Sequence, residues 1–80
     1  MQEDDILRFL RDDLSLDVSS INSKTPLISS GIVDSFSLIG IVMFLEEKAG
    51  VMAEPEDVTI ENFETIEAML RFIERKLVEA

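Results

Sequence analysis

Apolar residues recur at helical spacing along nearly the whole of this 80-residue chain, and no stretch shows the two-residue alternation of a strand. That pattern restricts the chain to an all-α architecture. Ile6, Leu7, Phe9, Leu10 and Leu14 predict a first helix over residues 3–14, with Glu3, Asp4 and Asp5 at the positive end of its dipole. Residues 35–49 predict a second helix, with Asp34 or Ser35 as N-cap and Gly50 as C-terminal stop. Gly40 inside it costs on the order of 1 kcal/mol relative to alanine. Pro55-Glu56-Asp57-Val58 predicts a short helical turn with proline at its first position. Thr59-Ile60-Glu61-Asn62-Phe63 then leads into a last helix over residues 64–78, whose seam is Ile66, Met69, Leu70, Ile73 and Leu77. The expected fold is a four-helix bundle, three helices long and one short, in a single domain over residues 1–80.

Between the first two helices lies a long loop, residues 15–34. Asn22, Ser23, Pro26, Ser29, Ser30 and Gly31 are turn formers within it. Leu16, Val18, Ile21, Leu27, Ile28, Ile32 and Val33 are too many hydrophobes for a free linker, so they should pin the loop to the bundle. Structured loops of this length in a small domain are usually functional.

Size and composition exclude several function classes. A chain this short buries roughly 60–65% of its unfolded surface, which leaves little room for a deep catalytic cleft. With no cysteine and no histidine there is no disulfide, no thiolate metal site and no histidine-activated nucleophile. No motif joins Ser35 to Lys24 or Lys48, and calcium-loop spacing is absent, so neither an enzyme nor a metal site is expected. No run approaches the ~18 apolar residues of a membrane span, and no basic segment precedes an apolar run at Met1. The chain is expected to be cytoplasmic, monomeric and not membrane-inserted.

Net charge is −10, from 17 acids against 7 bases. This opposes binding to nucleic acid or to anionic membranes. From Ala49 to Leu70 there is no base, while Glu54, Glu56, Asp57, Glu61, Glu64 and Glu67 are acidic. The middle of the chain therefore reads as a negative field, with the two ends neutralising each other. If acidity does more than keep the chain soluble, its partner is a basic protein surface.

At 100° per residue, Leu38, Ile41, Val42, Leu45 and Ala49 of the second helix share one arc suited to the core. Phe36, Ile39 and Met43 lie on another side, near Ser35 in projection, and Glu46 and Glu47 continue that side. Two readings stay open: these hydrophobes pack under the long loop, or they form a ridge for a partner. Ser35 likewise reads either as an ordinary N-cap or as a hydroxyl displayed at the positive end of a helix dipole, where a phosphodiester is favoured.

Gly31-Ile32-Val33-Asp34-Ser35-Phe36 resembles the Gly-x-hydrophobic-Asp-Ser-Leu signature of acyl and peptidyl carrier proteins. Leu45-Glu46-Glu47 resembles the end of that family's helix two, and Glu61-Asn62-Phe63-Glu64-Thr65-Ile66 its Glu-Asn-Phe-x-Ser/Thr-Ile/Val stretch. Length, acidity and the long first loop fit as well. The resemblance implies an acyl-carrier-like bundle and a non-enzymatic role. Ser35 would be esterified by 4′-phosphopantetheine, and Asp34 would help position metal-bound coenzyme A. Phe36, Ile39, Met43, Glu46 and Glu47 would form the recognition surface. The implied partners are a phosphopantetheinyl transferase, an acyl- or aminoacyl-activating ligase and acyltransferases. Phe36 departs from the usual Leu, and Gly40 stands where acids are frequent in fatty-acid carriers. Both departures point away from a housekeeping fatty-acid carrier, and the Asn62-Phe63 element resembles carriers that serve amino-acid activation, D-alanyl transfer or specialised acyl pathways.

A carried group is expected to find at most a shallow niche between helix two and residues 52–63, lined by Val42, Met52, Val58, Ile60 and Phe63. A larger cavity in so small a core would cost roughly 24 cal/mol per Å³. The competing expectation is a cofactor-free acidic adaptor, with Ser35 a cap only.

Overall fold

The periodic runs become three long helices in the computed structural model, which describes residues 1–79. The helices are α1 (Glu3–Asp12), α2 (Ser35–Ala49), α3 (Ile60–Phe63) and α4 (Ile66–Glu79), with a 3-10 turn over Pro55–Asp57. Among the described residues there is no strand.

α1 ends two residues earlier than its apolar spacing implies. The Leu14 N–H donates to the Phe9 carbonyl at 3.3 Å and the Leu16 N–H to the Leu10 carbonyl at 3.0 Å, with Ser15 left-handed between them (φ 57°). This is helix-terminating geometry that glycine usually marks, and here a serine adopts it. α2 runs as its caps imply, and Gly50 closes it in the left-handed conformation (φ 70°).

The segment after α2 is more divided than its sequence suggests. Pro55–Asp57 is a 3-10 turn, while residues 60–63 form a separate one-turn helix. Two threonines cause the division. Thr59 Oγ1 accepts the Asn62 N–H at 3.3 Å and starts α3; Thr65 Oγ1 accepts the Ala68 N–H at 3.0 Å and starts α4. The last helix therefore begins at Ile66 rather than at residue 64.

One core joins these elements. Ile6 and Leu10 from α1, Ile41 and Leu45 from α2, Phe63 from α3, and Ile66, Met69, Phe72 and Ile73 from α4 are buried together. Burying each such side chain contributes about 1.5–3 kcal/mol. Two expected members lie elsewhere. Leu77 is 51% exposed near the end of α4, its inward role being taken by Phe72, whose ring packs 5.4 Å from that of Phe63. Ile32 is also exposed, and the other six expected hydrophobes pin the loop, Ile21, Leu27 and Val33 buried and Leu16, Val18 and Ile28 packed partly buried against the core. α1 and α2 meet through the stacked rings of Phe9 and Phe44, 4.4 Å apart. Gly40 sits at this crossing, where an added Cβ would lie 3.9 Å from both Phe9 Cζ and Leu14 Cδ2.

Candidate functional site

Ser35 is the first residue of α2 and is exposed. It is not the cap. Asp34 holds that position, its Oδ1 accepting the Ser37 N–H at 2.7 Å. The N–H and hydroxyl of Ser37 hold the Asp34 carboxyl below its ordinary 3.8. The cap thus falls to the acid, and the adjacent serine is left at the positive end of α2 without that task. α2 has no acid within its first turn, so the Asp34 carboxylate at the cap is the one negative side chain its own sequence places at that end of the dipole.

The chain enters this serine through a braced loop. Val33 is buried, and its N–H donates to the Leu27 carbonyl at 2.8 Å. Gly31 turns the segment at φ 86°, a conformation that disfavours any side chain. Leu27 is buried in turn, and its N–H donates to the Glu64 carbonyl at 2.7 Å. Glu64 Oε1 accepts the N–H groups of Ile28 (2.7 Å) and Ser29 (3.0 Å). The side chain and N–H of Ser29, followed by the Ile28 N–H, hold this carboxyl below its ordinary 4.5. Glu64 is therefore a structural residue, which its place in an acidic run concealed.

From Ser35 the exposed face of α2 continues through Phe36, Ile39 and Met43, which are 85%, 60% and 62% exposed. Leu38, Val42 and Ala49 are half-buried, and Ile41 and Leu45 fully buried. Glu47 is exposed. Glu46 is half-buried, and its Oε2 accepts the Ala53 N–H at 2.9 Å, which ties the turn after α2 back to the helix.

The five residues expected to line a niche do not share one environment. Phe63 is fully buried in the core, Val42 is half-buried, and Met52, Val58 and Ile60 are exposed. The groove nearest Met52 is bounded by Gly50, Val51, Glu54, Lys76 and Glu79, and none of the other four lines it.

The charge pattern is rearranged by folding. Bases at the C-terminal end meet acids of the middle segment: Lys76 Nζ lies 2.7 Å from Asp57 Oδ2, and Arg71 lies 3.4 Å from Glu67. Near the N-terminus, Arg8 pairs with Asp5 and Arg11 with Asp12. The two ends therefore neutralise neighbouring acids rather than each other. Asn62 reinforces the Lys76 contact, its amide donating to the Asp57 carbonyl at 2.8 Å and accepting from Arg75 at 2.7 Å. Glu54, Glu56 and Glu61 stay exposed.

The model of the phosphopantetheine attachment site family matches residues 4–73, which takes in the whole path from α1 to α4. The chain belongs to this family. A relative named "Probable acyl carrier protein PigG", from Serratia sp. (strain ATCC 39006), is 31% identical over 55 residues. The alignment covers 69% of this chain and 63% of that protein, less than two thirds of its length. The group that this attachment-site family takes is phosphopantetheine, and the geometry at Ser35 fits it: an exposed hydroxyl, an occupied cap and a helix dipole that favours a phosphodiester. No described helix is long and apolar enough to cross a membrane.

Proposed function

We propose that this protein is a carrier whose Ser35 bears 4′-phosphopantetheine and which delivers acyl or aminoacyl groups between separate enzymes. The observation that carries this reading is the exposed Ser35 hydroxyl beside a cap already supplied by Asp34, within a segment matched by the attachment-site family. Attachment forms a bond from Ser35 Oγ to phosphorus and breaks the phosphoanhydride of coenzyme A. Adenosine 3′,5′-bisphosphate leaves, and the hydroxyl proton is released. When bound, the group supplies a thiol for thioester formation, which this cysteine-free chain lacks.

The chain's own residues hold, display and steer. Asp34 and the braced 27–33 loop fix where Ser35 stands. Phe36, Ile39 and Met43 present apolar surface to a partner, and aromatic and Met side chains are favoured in such contacts. Glu47 and the exposed Glu54, Glu56 and Glu61 draw basic partner surfaces, which raises association rates without demanding tight binding. The non-enzymatic role follows from this division: the chain carries, and its partners react. Of the five niche candidates Phe63 is buried in the core, Val42 is half-buried, and Met52, Val58 and Ile60 are exposed, which supports a short or polar cargo staying solvated on its arm. A tethered cargo is presented to each docked partner at a raised effective concentration.

The test is incubation with coenzyme A, Mg²⁺ and a broad-specificity phosphopantetheinyl transferase, followed by intact mass. One phosphopantetheine should be gained by the wild type and none by Ser35→Ala. No gain by the wild type, or a gain by Ser35→Ala, overturns the assignment.

A further inference from the structure

We infer that Glu64, 29 positions further along the chain, is a positioning residue for Ser35. Its carboxylate clamps the loop that ends at the serine. The inference rests on the reading of Ser35 given above and adds a residue to its machinery.

The geometry is specific. A single oxygen, Glu64 Oε1, accepts two successive backbone N–H groups, those of Ile28 and Ser29. The Glu64 carbonyl accepts a third, that of Leu27. Three consecutive residues of the loop therefore hang on one residue across a separation of 35–37 positions. The loop is itself closed, because the Val33 N–H returns to the Leu27 carbonyl. Fixing residues 27–29 thus fixes the far limb of a closed loop whose near limb is Val33-Asp34-Ser35. The buried side chains of Leu27 and Val33 anchor the base of that loop. Its outer turn, at Ser29, Ser30, Gly31 and Ile32, is exposed; the Ser30 hydroxyl on the Pro26 carbonyl and the Gly31 N–H on the Ile28 carbonyl hold it locally, and the Glu64 carboxylate ties its first half to the distant α3–α4 junction.

Because both backbone N–H bonds to the side chain end on one oxygen, these two bonds do not require a negative charge. A glutamine amide oxygen can accept the same two bonds. Aspartate keeps the charge but falls one methylene short. This separates clamping from attraction of a basic partner, which would need the charge and not the reach.

The experiment compares wild type, Glu64→Ala, Glu64→Gln and Glu64→Asp as substrates of the transferase, well below their melting temperatures. Backbone amide exchange is followed in the same samples. In Glu64→Ala, the Ile28 and Ser29 amides should exchange faster. KM should rise about tenfold while kcat stays within about twofold, since a loosened loop lowers the fraction of chains competent to bind. Glu64→Gln should recover most of the KM and the amide protection, and Glu64→Asp should not. Equal KM for wild type and Glu64→Ala overturns the inference, as does Glu64→Gln behaving like Glu64→Ala. If Glu64→Ala is unfolded at the assay temperature, Glu64→Asp carries the comparison, and a wild-type KM there overturns the clamp. A wild type that gains no mass overturns the Ser35 reading itself, an outcome distinct from every variant difference.

Discussion

Asp34 Oδ1 accepts the Ser37 N–H at 2.7 Å, so the acid before Ser35 starts α2 and the serine does not. Capping and modification are thereby divided between neighbouring residues. Asp34→Ala should lower the melting temperature by about 5 °C, the size of a lost cap in a domain this small. Ser35→Ala should stay within about 0.5 kcal/mol of wild type, as exposed substitutions away from such features do. Thermal melts of the two variants check this. A larger loss in Ser35→Ala than in Asp34→Ala would reverse the division.

Acid should loosen the bundle through identifiable carboxylates. Asp57, held by Lys76 and the Glu54 N–H, lies below its ordinary 3.8; Glu64 lies below 4.5 and Asp34 below 3.8. Each is depressed in the folded state, so its contribution is complete above the ordinary value and is lost as pH falls through the lower folded value. Stability should therefore hold from pH 7 to about 5 and fall steeply below about 4. In Asp57→Asn the fall should be shallower, because one depressed group is gone. Melting temperature against pH measures both, and identical slopes would exclude Asp57 from the transition.

Gly40→Ala should stabilise the protein by about 1 kcal/mol, because the helix gains propensity and the new Cβ meets only ordinary contacts at 3.9 Å. Gly40→Leu should destabilise it by about 1–3 kcal/mol, forcing the Phe9 and Leu14 side chains aside. Urea denaturation distinguishes the two. Destabilisation by alanine would mean that the α1–α2 crossing tolerates no added methyl.

Glu47 and Glu46 should behave differently despite being neighbours. Glu47 is exposed, so Glu47→Lys should leave the melting temperature nearly unchanged, slow association with a partner enzyme and flatten its salt dependence. Glu46→Lys also removes the acceptor of the Ala53 N–H, so it should lower stability as well. Stopped-flow association at low and high salt, with parallel melts, separates the effects. An unchanged rate at low ionic strength for Glu47→Lys would remove it from the steering surface.

Much of this architecture was legible along the chain because the signals are local. Helical spacing, the caps at Asp34 and Gly50, the proline at residue 55 and the Asp-Ser signature all act within a few residues, and they give the bundle, α2 and the candidate serine. Thr59 and Thr65 were equally local signals, and they divide α3 from α4. The end of α1 was obscured because Ser15, not a glycine, takes the left-handed position. What the tertiary structure alone decided depends on contacts between distant segments. Phe72 rather than Leu77 packs inward, since it meets Phe63. Acids that read as one negative field part company, Asp57 pairing with Lys76 and Glu64 bonding the loop before Ser35, while Glu54, Glu56 and Glu61 remain in solvent. A carboxylate's role depends on which donors folding brings to it. Those donors lie 19 to 36 positions away, where local sequence pattern carries no information.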